Sequence, residues 1–156
     1  MARYFPTREE FRHLASEGYN LIPVYREVVA DLETPVSAYL KIVNVSGTNN
    51  SFLLESVEGG ERLARYSFMG TQPYRGLRTG PGQADGARDP LEAIQRELRR
   101  FKPAVVRGLP RFVGGAVGYL SYECAHYFEP RVPMAQEDPH GLPEAVFLFT
   151  NSLLVY

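Results

Sequence analysis

The run Leu53-Leu54-Glu55-Ser56 sets a carboxylate and a hydroxyl at the end of an apolar stretch, and Arg65 opens the next such stretch. If the two stretches pair antiparallel, the carboxylate, the hydroxyl and the guanidinium converge at the mouth of an apolar layer. Such a set can hold the ammonium and carboxylate of an amino acid by charge-assisted hydrogen bonds, with apolar walls for its side chain. The same residues also read as a salt bridge between strand ends, worth little in water.

Other reactive residue types in the chain point to packing. Glu123 and His126 share a helix face at i, i+3, but such a pair binds metal only with ligands from other helices, which the sequence does not supply. Cys124 lies beside aromatic residues and reads as a small buried hydrophobe ahead of a nucleophile. The glycines of Gly114-Gly115-Ala116-Val117-Gly118-Tyr119 do not follow the G-x-G-x-x-G spacing, and no phosphate-binding lysine follows them. Close approach of backbones in a bent strand is the plainer reading. Arg96, Arg99, Arg100, Lys102, Arg107 and Arg111 face a single acid, Glu97, over that stretch. Stacking aromatics are sparse there, so a solvated helix face is favoured over a nucleic-acid surface.

The elements that must position these residues follow from local signals. Thr7 and Glu10 form a capping box opening a short helix with Phe11, Leu14 and Ala15 on its apolar stripe. Asn20–Tyr25 reads as a short edge strand because of Pro23. Thr34-Pro35 opens a helix through Val36, Tyr39 and Leu40. Residues 51–56 and 65–69 form an antiparallel pair about a turn at Glu58-Gly59-Gly60, and 75–79 continues the meander. Residues 80–88 are loop. Asp89-Pro90 starts the clearest helix, with Leu91, Ile94, Leu98 and Phe101 at helical spacing. A glycine-broken strand over 112–119, a short helix over 121–128, a proline-rich loop over 129–143 and a final strand complete the order. Irregular mixing of helices and strands favours α+β: an antiparallel β-sandwich portion with flanking helices, incomplete without a carboxy-terminal region.

Composition sets the outer bounds. The 156 residues are 44% hydrophobic and 22% charged, so the chain can bury a core. A net charge of −1 weakens the case for a dedicated nucleic-acid or membrane-surface binder. One cysteine excludes an internal disulfide framework, and no apolar run reaches the roughly 20 residues of a membrane span. The polar start MARYFPTREEF is not a secretory peptide, and a cytoplasmic location is expected. The apolar stretch up to Tyr156 leads us to expect a piece of a larger protein.

Several motifs in order carry a resemblance. Ser51-Phe-Leu-Leu-Glu-Ser56, Glu61 to Gly70 (ERLARYSFMG) and Phe112 to Glu123 (FVGGAVGYLSYE) resemble the anthranilate synthase component I family, as do Pro35–Lys41 and Phe147–Tyr156. Para-aminobenzoate synthase component I is a similar relative, and a stand-alone amino-acid-binding module is a third reading. The first resemblance implies that residues 1–156 are the amino-terminal, feedback-binding region, with the chorismate-binding catalytic domain absent. It implies a parent lyase that makes anthranilate and pyruvate from chorismate in tryptophan biosynthesis. That parent would use Mg²⁺, whose ligands lie outside this chain, and ammonia from a glutamine amidotransferase subunit. It further implies that L-tryptophan, the allosteric effector, binds at Leu54, Glu55 and Ser56, and at Arg65, where the family often carries lysine.

Overall fold

The computed structural model describes residues 3–48, 50–55, 66–133 and 140–156. Among them are helices α1 (Arg8–Ser16), α2 (Pro35–Ser46), α3 (Pro90–Leu98) and α4 (Ala125–Phe128). Strands are β1 (Ser51–Leu54), β2 (Phe68–Thr71), β3 (Arg75–Thr79), β4 (Gly115–Leu120), β5 (Ala145–Thr150) and β6 (Leu154–Val155). They form two antiparallel sheets, β1-β2-β6 and β3-β5-β4, so the fold is α+β. No described helix is long and apolar enough to cross a membrane.

The two sheets are halves of one ladder. β2 runs into β3 and β5 into β6, so the same two segments pair in both sheets. Met69 faces Leu154 and Arg75 faces Phe149, which leaves one residue more on the first segment than on the second. A one-residue excess is the signature of a β-bulge, which bends its strand and raises the local twist. Gln72, at the bulge, has φ +49°. Its side-chain amide donates to Ser46 O (3.4 Å), tying the bend to the end of α2. Segment 75–79 therefore does not continue the meander of β1 and β2, as expected from the sequence. The bend carries it away from β1 to pair with β5.

Helix starts follow local chemistry. Thr7 and Glu10 exchange the two bonds of a capping box, as do Thr34 and Ser37, with Pro35 in the first turn. Asp89 accepts from Leu91 N at 2.8 Å. Asn20–Tyr25 is not a strand; Pro23 offers no N–H, and only two isolated bridges form, Phe5 with Tyr25 and Leu21 with Pro103. The stripe on α1 stays largely in water, with only Leu14 half-buried.

Phe149, Leu77, Thr79 and Ala145 share the buried face of the second sheet, where Tyr74 lies against the Phe149 ring. α3 covers this side through an unexpected residue. Glu97 is 4% exposed, while Leu91 and Leu98 of the predicted stripe are exposed. Its carboxylate accepts from Arg75 Nη1 (2.6 Å) and Arg100 Nη1 (3.0 and 3.1 Å). Burial raises the Glu97 pKa, but hydrogen bonds and charge from Arg100 and then Arg75 outweigh it, leaving the carboxyl below its ordinary value.

Two tests follow from this packing. A depressed folded-state pKa adds stability that is present above the unfolded carboxylate range near about 4.3 and is lost as pH falls through the folded value. Glu97→Gln should lower the melting temperature at neutral pH and flatten the acid limb of stability against pH. An unchanged acid limb would remove Glu97 from that role. Glycines give the second test. A Cβ on Gly118 would lie 1.9 Å from Val146 O, whereas on Gly70 it would meet the far edge of the Phe52 ring at 2.4 Å. Backbone cannot yield as a ring can. Gly118→Ala should cost on the order of 3 kcal/mol and Gly70→Ala about 1 kcal/mol in urea unfolding. Equal losses would refute this account.

Candidate functional site

β1 delivers the sequence-predicted site to one end of the first sheet. Leu54 pairs with Phe68 and shares a face with Phe52, while Leu53 pairs with Met69 on the other face, under α2. Glu55 follows one step past the strand, exposed, and Ser67 Oγ donates to its Oε1 at 3.5 Å. Ser67 and Tyr156 exchange both backbone hydrogen bonds at 2.9 Å. A row therefore runs across three segments, from Glu55 through Ser67 to Tyr156. The Tyr156 hydroxyl donates to Glu33 O at 2.6 Å. The Glu33 carboxylate pairs with Lys41 and accepts from Ser37 Oγ, and the Lys41 hydrogen bond leads the causes that hold its pKa down.

Leu54 and Glu55 thus address opposite faces. On the Leu54 side, Phe52 faces Val117, Tyr119, Val146 and Leu148 of the second sheet across a shallow recess of about 220 Å³. Phe68 closes part of that side against Phe112, edge to face at 5.4 Å. Ser56 and Arg65, the expected hydroxyl and guanidinium, lie outside the described residues, as does the Glu58-Gly59-Gly60 turn. Ser67 and Tyr156 belong to no chemical motif in the sequence. The alternation of Tyr66, Ser67 and Phe68 was the one available signal for Ser67.

The remaining candidates resolve into structure. Cys124 is buried, its thiol donates to Glu144 O (3.1 Å), and burial pushes its pKa up, which disfavours the nucleophilic thiolate. Tyr127 donates to the Glu144 carboxylate (2.8 Å), and burial first, then that bond, drives the phenol pKa to about 12. His126 Nδ1 lies 2.5 Å from Glu123 O, a backbone contact. No group of three or more His, Cys, Asp or Glu among the described residues is placed to hold a metal ion. Within the basic stretch, Arg100 serves Glu97, and Lys102 lies 4.7 Å from the Tyr19 ring centre.

Comparison with known proteins agrees with the motifs. The chain is 46% identical over 155 residues to a probable anthranilate synthase component 1 of Schizosaccharomyces pombe, covering 99% of the chain and 30% of that relative. It is 40% identical over 163 residues to anthranilate synthase component 1 of Acetivibrio thermocellus, covering 98% of the chain and 32% of the relative. The protein of that name from Pseudomonas aeruginosa is 40% identical over 161 residues, covering 96% and 32%. No protein-family model matches the chain. Over nearly its whole length the chain is similar to anthranilate synthase component 1 proteins, and it spans about a third of their length.

Proposed function

We propose that the chain is the tryptophan-sensing part of an anthranilate synthase component I. The similarity along essentially the whole chain carries this reading, and the anthranilate name of the relatives favours that branch over the para-aminobenzoate one. In the longer polypeptide, chorismate would be converted to anthranilate and pyruvate with ammonia from a glutamine amidotransferase subunit. The chorismate and Mg²⁺ residues would belong to the other two thirds.

On this reading, the Glu55 carboxylate accepts from the ammonium of tryptophan. Ser56 bonds the effector or neighbouring backbone, and Arg65 neutralises the effector carboxylate or holds the strand ends together. Leu54, on the face opposite Glu55, contributes apolar surface on the recess side, so the effector would have to lie across the strand end to meet both. Glu55 suits that role because it is exposed at a strand end with one oxygen facing Ser67, which leaves acceptor capacity for a ligand. Inhibition is then a coupling free energy. Tryptophan stabilises one arrangement of the sheets, and that arrangement disfavours turnover or delivery of ammonia elsewhere.

The test uses the polypeptide of the relatives' length with its amidotransferase partner, reading anthranilate fluorescence against tryptophan concentration. Glu55→Ala and Ser56→Ala should each raise the half-inhibitory concentration roughly tenfold or more, with turnover of chorismate kept within about twofold. Inhibition unchanged in variants of normal melting temperature would remove these residues from the effector site. A product other than anthranilate would overturn the branch assignment.

A further inference from the structure

Leading into α2 and along one of its sides, aliphatic residues stand in water. Val28 is 66% exposed, Val29 84% and Leu32 97%, while Val36 and Leu40, one helical turn apart, are 49% and 53% exposed. The turn closed by Glu33 N to Ala30 O holds Leu32 just ahead of the helix cap at Thr34. The opposite side of α2 is committed in its first turns, since Ala38 is buried and the Tyr39 hydroxyl bonds Ser51 Oγ (2.7 Å) on β1, although Val45 near its end is 89% exposed. An apolar face of this kind marks a surface that another piece of protein covers.

We infer that this face seats the remaining two thirds of the anthranilate synthase component I polypeptide, an inference that rests on the function proposed above. Two observations select that occupant over a second copy. The relatives are about three times as long as the chain, which covers 30% to 32% of them. Tyr156 has its hydroxyl on the carbonyl of Glu33, the residue after Leu32, and its backbone on Ser67, so a longer polypeptide would pass within a tyrosine side chain's length of Glu33. A short connection then suffices for docking, and an intramolecular partner enjoys a high effective concentration. The apolar side chains supply the contact, with exposed charge at Glu27, just before the stretch, and at Asp31 within it.

Thiol labelling tests this in the polypeptide of the relatives' length. Leu32→Cys and Leu40→Cys report on the face, and Arg88→Cys, exposed in the 80–88 loop, reports unhindered labelling. Cys124 is buried and contributes little background from this region. Any cysteines of the other two thirds are replaced first. The two face positions should label with a maleimide at least roughly tenfold more slowly than Arg88→Cys, and the protection should survive fiftyfold dilution. Labelling as fast as at Arg88→Cys would overturn the docking face while leaving the effector reading intact. Protection that vanishes on dilution would assign the face to a second copy and overturn it too. A gene product of only 17.6 kDa would sink the functional reading, and the docking face with it.

Discussion

Everything in this fold hangs on the pairing of residues 67–79 with residues 145–156. Phe68 meets Val155 and Thr79 meets Ala145, so each contact closes a long loop of chain. Loop closure costs entropy before any packing repays it, which ties formation of both sheets to one nonlocal event. β1 and β4 widen that ladder on opposite segments, since β1 pairs with β2 and β4 with β5. The bulge at Gln72 then decides geometry. It divides a single ribbon into two sheets facing a shared recess, with α2 behind the first and α3 tied to the second through Glu97 on Arg75.

Charge is used inside this framework as a fastener. Glu97 is held by two arginines from different parts of the chain, and Arg75 also lies 5.7 Å from the centre of the Phe149 ring. Helix α3 is therefore attached by a polar anchor at Glu97 beside the buried Pro90 and the half-buried Ile94 and Phe101, while Leu91 and Leu98 of the expected stripe stay exposed. Removing one member strands the others, which is why such networks are costly to break even when their net contribution is modest. Glu144 plays a comparable part on the far side, with Tyr127 on its carboxylate and Cys124 and Ser121 N on its carbonyl.

What could be read from sequence was local. Thr7 with Glu10 and Thr34 with Pro35 announce helix starts because a cap is satisfied by residues three positions away. β1 and β2 were legible as neighbours, since alternation and a short glycine-bearing connection favour a hairpin. The partner of β3 was not, because Phe149 lies far along the chain and alternation carries no address. The burial of Glu97 was hidden for the same reason: a lone acid in a basic run looks solvated until Arg75 arrives from a distant strand. At the site, Leu54 and Glu55 were legible as the end of an apolar run. Ser67 and Tyr156 complete the row only through register, a property of the assembled sheet.

The 80–88 loop folds back on β3. Asp85 Oδ2 accepts from Arg78 N, Asp85 N donates to Arg78 O, and Gly80 N donates to Gly86 O. The backbone at Arg78 has no hydrogen bond left to offer a newcomer. A strand seeking to add there, from a misfolded neighbour or a growing aggregate, meets an occupied margin. The sheet thus carries a built-in direction for growth, in which further β structure is turned away at Arg78 and must join elsewhere.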